Sequence, residues 1–246
     1  MHVPRTYRAL HSWTDLTRFR LVMDETDLDI AVTPGAYGRY LHQAALEAVR
    51  EARGALQDYI GRDPAFLTAL TPHRLLPEAP PLAHAMAEAA DLAGVGPMAA
   101  VAGAVAERVG VRLSALAADV LVENGGDIWL KCGKTRRVGV YAGASPFSLR
   151  LAIELNEAQT PLGVCTSSGT VGHSLSFGCA DAVVILSPAA ALADAVATAA
   201  ANLVQGPEDL ARAVEFALAV PGVTGALAIL GDKLAVLGQV VLAPLD

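Results

Sequence analysis

Cysteine is scarce in this chain. Its 246 residues hold only Cys132, Cys165 and Cys179, an odd number with no C-x-x-C spacing. That excludes a disulfide framework or a zinc knuckle and leaves small buried thiols. Aromatic residues make up 5%, too few for a base-stacking surface. Charged residues make up 17%, with 18 basic against 25 acidic for a net charge of −7. An acidic chain does not neutralise many phosphates, so a nucleic-acid partner is not expected. Long apolar runs are missing too. The longest uncharged stretch, 158–180, is full of Ser, Thr, Gly and His, and a shorter one, 92–106, contains Gly94, Gly96 and Pro97. Neither supplies the ~20 mostly apolar residues that cross a bilayer. The first twenty residues lack the apolar core of a secretory signal, so a soluble, cytoplasmic protein with no membrane partner is expected.

What is abundant is small and apolar. Hydrophobic residues reach 53% and mean hydropathy is +0.42, enough for a large core and unlike a disordered chain. There are 48 alanines, which favours helices packed at short distance.

Strand-like alternation opens the chain over 18–23 and 28–32, split by the polar knot Asp24-Glu25-Thr26-Asp27. Residues 40–59 carry Leu41, Ala44, Ala45, Ala48, Ala52, Leu56 and Tyr59 at helical spacing, stopped near Gly61 and Pro64. A proline-rich loop follows at about 61–81, then Ala-rich helices at 82–93 and 97–109. Strand patterns return at 119–123, 128–132, 137–141, 149–155, 163–166 and 181–186. Ser187-Pro188 reads as the N-cap and first turn of a helix running to about 203, and 207–218 as another. A hairpin over 226–230 and 234–237, with a strand at 240–242, closes the chain. Strands and helices come in blocks, which predicts a single α+β domain over 1–246 with largely antiparallel sheet packed against Ala-rich helices.

The sharpest chemical anomaly is Asp194, the only charged residue between Asp181 and Glu208. It sits among Ala190, Ala191 and Ala197, where a buried carboxylate is costly unless a cation or hydrogen-bond donors pair it. Thr198, four residues on, faces the same way, and the two oxygens form a hard-ligand pair suited to Mg²⁺. The alternative is an Asp that reaches solvent or an arginine. Asn124-Gly125-Gly126-Asp127 lies between two strands and is either a ligand-approach loop or an ordinary hairpin turn. Thr166-Ser167-Ser168-Gly169 follows a strand and is dense in hydroxyls, a phosphate or ribose lining. Gly172-His173-Ser174-Leu175-Ser176 nearly matches a nucleophile elbow, but Ser176 stands at the second glycine position and a strand comes next, so a serine hydrolase is excluded. Gly94-Val95-Gly96-Pro97-Met98-Ala99 follows a helix instead of a strand, which excludes a Rossmann fingerprint.

Taken in order, 96–107, 122–128, 166–169 and 193–198 resemble the ApbE family of FAD:protein FMN transferases. Ala102-Gly103-Ala104-Val105-Ala106-Glu107 stands where the family has Lys-Gly-Tyr-Ala-Val-Asp, Gly125-Gly126-Asp127 matches its Gly-Gly-Asp loop, and Thr166-Ser167-Ser168-Gly169 approximates its Thr-Ser-Gly strand end. Asp194-Ala195-Val196-Ala197-Thr198 matches its Asp-Ala-x-Ala-Thr in full. Tyr7-Arg8 and Glu25-Thr26-Asp27-Leu28 bring the chain nearer still to a branch of that superfamily to which no reaction is assigned. Two features depart: the family lysine is Ala102, and the His-Ile-Ile-Asp-Pro-x-Thr-Gly block is missing, with His173 standing for its histidine.

The resemblance implies an ApbE-like, T-fold-like architecture. It implies Mg²⁺ on Asp194 and Thr198, and FAD or FMN held by Asn124, Gly125, Gly126, Asp127, Thr166, Ser167 and Ser168. It gives His173 the catalytic role of activating an attacking hydroxyl. The functions expected are FMN transfer or FAD pyrophosphate cleavage. The alternatives are a non-catalytic flavin or nucleotide binder, or a homo-oligomer subunit using the Ala-rich helices as its interface.

Overall fold

The computed structural model describes residues 13–170 and 177–245. Strands β1 (Thr17–Met23) and β2 (Thr26–Val32) form the expected hairpin. Helix α1 (Arg39–Arg62) buries the stripe predicted for it, Leu41 through Tyr59. It stops because Asp63, preceding Pro64, leaves the helical region. The short helix α2 (Pro64–Thr68) interrupts the proline-rich loop, which is a difference from the sequence reading. Helix α3 (Pro81–Ala93) ends on left-handed Gly94, and a 3₁₀ turn, Pro97–Ala100, leads into α4 (Val101–Ser114).

Strands β3 (Val120–Asn124), β4 (Asp127–Lys131), β5 (Arg136–Gly139), β6 (Leu151–Leu155), β7 (Leu162–Ser167) and β8 (Ala182–Ser187) follow. Then come α5 (Ala190–Leu203), α6 (Leu210–Ala219), β9 (Gly225–Leu230), β10 (Lys233–Gly238) and β11 (Val241–Pro244). Eight strands make one sheet in the order β1-β2-β3-β4-β7-β8-β9-β10, and β11-β6-β5 make a second. All pairings are antiparallel. The α+β expectation therefore holds. The third strand of the terminal segment, β11, does not extend the β9–β10 hairpin. It crosses to β6 in the small sheet.

Strand alternation assigns the two faces of the large sheet. Trp129, Cys165, Val183 and Ile185 point into a core shared with the helices. Ile128, Leu130, Val164, Val184 and Leu186 point into a second core shared with the small sheet. The molecule thus has three layers, with α5 at the centre of the helical one, against β7, β8, α3, α4 and α6. Eleven of the fourteen residues of α5 are buried, eight of them alanines. Small side chains let the helix lie close to the sheet, and glycines on the opposing surfaces bring it closer.

A buried polar knot anchors the proline-rich loop. The Tyr59 hydroxyl donates to Asp63 at 2.9 Å, His73 Nε2 lies 2.8 Å from the same oxygen, and the Leu76 N–H donates to Tyr59 at 3.0 Å. Among the described residues no single helix is long and apolar enough to cross a membrane. Only α3 with α4, bent by 106° between them, passes as a pair.

Candidate functional site

The β3–β4 turn places the first part of the site. Gly125 and Gly126 have φ of 73° and 107°, the left-handed pair of a tight hairpin turn, and Asn124 stands opposite Asp127. Asn124 and Asp127 therefore share a face with Trp129, toward the helices. Asn124 Nδ2 donates to the Ala102 carbonyl at 3.1 Å, tying the turn to the start of α4. The Gly126 N–H is already engaged, donating to Glu123 Oε1 at 2.8 Å. A phosphate taking that amide must displace the carboxylate.

Strand β7 supplies the second part and separates its hydroxyls. Ser167 is on the helix side with Cys165, whereas Thr166 pairs with Val184 and turns to the other core. The Thr166 N–H still reaches back to Asp127 Oδ1 at 3.3 Å. Ser167 Oγ is buried without a hydrogen-bond partner among the described residues. Ser168 lies at the edge, accepting from the Thr170 N–H at 3.1 Å.

Helix α5 brings the third part. A Cβ built on Gly163 falls 2.5 Å from Ala190 Cα, and one on Gly103 falls 2.3 Å from the Ala190 carbonyl oxygen. The start of α5 is thus wedged between β7 and α4 with no room for a methyl group. One turn on, Asp194 is 9% exposed and its Oδ2 accepts from the Gly103 N–H at 2.8 Å. Ser187 does not cap α5 as its sequence position suggests. The helix begins at Ala190 without a side-chain cap from its own N-cap residue, and its first amide donates to Glu107 Oε2 of α4 at 2.7 Å. Asp194 consequently lies in the second turn of α5. Thr198 is half-buried one turn farther along the same face.

The electrostatics follow from burial. Burial pushes Asp194 up to about 7, against the pull of the Gly103 and Ala102 amides. Burial, and then the charge of Asp194, push Asp127 well above the usual carboxylate range. Burial, and then both carboxylates, raise the Cys165 thiol. Among the described residues neither Asp127 nor Asp194 forms an ion pair with a Lys, Arg or His. Asp194 is buried from solvent, and among the described residues it meets no guanidinium.

No three His, Cys, Asp or Glu side chains among the described residues cluster as a metal site. A cation here would rest on Asp194 with hydroxyl oxygens and the oxygens of a ligand, which suits Mg²⁺. His173 lies outside the described residues. Asp27 adjoins the β3–β4 turn in register but lies on the opposite face from Asn124 and Asp127. Glu25 is exposed and pairs with Arg53, and Asp27 is buried against Arg20. Sequence reasoning missed Cys165 as a neighbour of the acids and Glu107 as a cap. The one signal for Glu107 is a lone acid ending the apolar run from Val101 to Ala106.

The same three-layer arrangement is found in solved structures. The ApbE protein of Thermotoga maritima superimposes with a TM-score of 0.54 at 16% identity, covering 89% of this chain and 96% of that one. The flavin transferase ApbE of Vibrio cholerae gives 0.53 at 15% identity, covering 91% and 96%. The family model described as AbpE bacteria matches residues 8–235, and the chain belongs to that family, an ApbE-like branch. A UPF0280 protein of Methanocella arvoryzae is 44% identical over 199 residues, 80% of this chain and 81% of that protein.

Proposed function

We propose that this chain binds a flavin nucleotide, FAD or FMN, or a related pyrophosphate ligand together with Mg²⁺, and uses the complex for FMN transfer or FAD pyrophosphate cleavage. The observation that carries this reading is the pair Asp127 and Asp194: two buried carboxylates, one on β4 facing the helices and one on α5, near enough that the charge of Asp194 raises Asp127, and without a cationic partner among the described residues. Buried charge of one sign calls for a counter-ion. The chain's likeness in fold to the flavin transferase ApbE of Vibrio cholerae, and the Ser167 hydroxyl with no partner among the described residues, support the same reading.

In this reading Asp194 and Thr198 hold the cation. Asn124, Gly125, Gly126, Asp127, Thr166, Ser167 and Ser168 bind and orient the nucleotide, with Thr166 acting through its backbone. A bound Mg²⁺ supplies charge neutralisation and Lewis acidity at the pyrophosphate. The main-chain amides of the turn stabilise phosphate oxygens once the Gly126 N–H leaves Glu123. His173 accepts the proton of the attacking hydroxyl.

The test is titration of purified protein with FAD, FMN and ATP, with and without Mg²⁺, followed by assay for FMN and AMP. Binding that depends on Mg²⁺ and is lost in Asp194→Asn is expected, because Asn keeps an acceptor for Gly103 and removes only the charge. Binding without turnover makes the chain a flavin carrier. Equal binding by wild type and variant overturns the metal assignment.

A further inference from the structure

Helices α4 and α5 cap each other. Neither has a side-chain cap from its own N-cap residue, so the first amides of each need acceptors from elsewhere. Asp194 of α5 accepts from Gly103 near the start of α4 at 2.8 Å, across 91 positions of sequence. Glu107 of α4 accepts from Ala190 at the start of α5 at 2.7 Å, across 83. Gly103 and Glu107 are i and i+4 on one helix, and Ala190 and Asp194 are i and i+4 on the other, so each pair shares a face. The two faces meet in opposite senses, 103 against 194 and 107 against 190. Gly103 sits inside this square, where a Cβ would lie 2.3 Å from the Ala190 carbonyl oxygen and 2.9 Å from Asp194 Cβ. Sliding either helix by one turn breaks both bonds at once.

We propose that Glu107 is a positioning residue. By holding the first turn of α5, it fixes where the Asp194 carboxylate stands, held by the Gly103 and Ala102 amides with its remaining lone pairs available to a cation. The cation clause rests on the function proposed above, whereas the positioning clause does not. Glu107 hydrogen-bonds the Ala190 and Ala191 amides, so it acts through the first turn of α5.

The experiment compares wild type with Glu107→Ala, Glu107→Gln and Glu107→Asp. It reads amide hydrogen exchange at Gly103, Ala190 and Ala191 by NMR, and Mn²⁺ affinity in the presence of FAD by electron paramagnetic resonance. In Glu107→Ala, exchange is expected to rise about tenfold or more at Ala190 and Ala191 and also at distant Gly103, with Mn²⁺ affinity falling about tenfold. Glu107→Gln, which keeps an acceptor oxygen, is expected to recover most of both, and it carries the test if Glu107→Ala fails to fold. Glu107→Asp, one methylene short, is expected to recover little. Faster exchange at Ala190 and Ala191 with Gly103 and Mn²⁺ affinity unchanged overturns the proposal, since Glu107 is then a local cap. If wild type takes up no Mn²⁺ while Gly103 exchange still rises in Glu107→Ala, the positioning role stands and the metal reading falls.

Discussion

Ala190 stands directly over Gly163: a Cβ on the glycine would fall 2.5 Å from Ala190 Cα and 2.8 Å from its Cβ. The neighbour is a helix backbone held on its other side by Gly103, so it cannot give way locally. Gly163→Ala is expected to lift the start of α5 and cost about 3 kcal/mol, the upper range for an overpacked core. Gly54, within α1, has nothing within 4 Å, and Gly54→Ala is expected to stabilise by about 0.5–1 kcal/mol through helix propensity. Urea unfolding of the two variants checks the contrast. Equal midpoints contradict the close approach of α5 to β7.

Asp194 predicts how the metal-free protein responds to pH. Its folded-state value is raised by burial to about 7, so between about pH 4 and about pH 7 the folded chain retains a proton that the unfolded chain has released. Stability then falls as pH rises through that window and levels off above it. Asp127, also raised, adds in the same direction. Asp194→Asn is expected to flatten much of this slope and make the metal-free protein more stable than wild type above about pH 7. Denaturant titrations in chelator across the range read the slope directly.

Ser167 carries a buried hydroxyl with no hydrogen-bond partner among the described residues. Removing an unpaired polar atom relieves a desolvation cost, so Ser167→Ala is expected to leave the ligand-free protein as stable as before or up to about 1 kcal/mol more stable. If a nucleotide uses the hydroxyl, its affinity falls about tenfold, the worth of one hydrogen bond. A loss of stability greater than 1 kcal/mol means that the hydroxyl has a partner in solution.

Asp63 binds the knot below the proline-rich loop. Burial pushes its carboxyl up, but His73 and Tyr59, donating to it, outweigh that and hold it below its ordinary value. Its contribution is therefore complete above the unfolded-chain value near 4 and is lost as pH falls through the lower folded value. Asp63→Asn is expected to lower stability at neutral pH by about 2 kcal/mol and to reduce the steepness of acid unfolding. A variant whose acid limb superimposes on that of wild type contradicts the pairing.

Much of the architecture is legible because it follows from periodicity. The stripe from Leu41 to Tyr59 is a helix, and the runs around Leu121, Ile128 and Val183 are strands, because burial of one face repeats at the period of each element. The oddity of Asp194 is legible as well, since one charge in a run of alanines has few inexpensive environments. The partner that settles its environment is not legible. Gly103 lies 91 positions away, and only the crossing of two helices brings its amide to the carboxylate. The same reason hides Glu107, which takes the Ala190 amide from another helix 83 positions away, where the sequence suggests only the local Ser187. The split of Thr166 from Ser167 follows from strand alternation, but only once register shows which face meets the helices.

Cys165 is fully enclosed beneath α5, its sulfur 3.4 Å from the Ala190 carbonyl oxygen, whereas Cys179 is partly open to solvent. An alkylating reagent therefore meets Cys179 at once and Cys165 only after the helix has come away from the strand beneath it. The slow labelling of Cys165, read apart from that of buried Cys132, is in effect a clock for that parting, and any ligand gripping both sides of the seam makes it run slower.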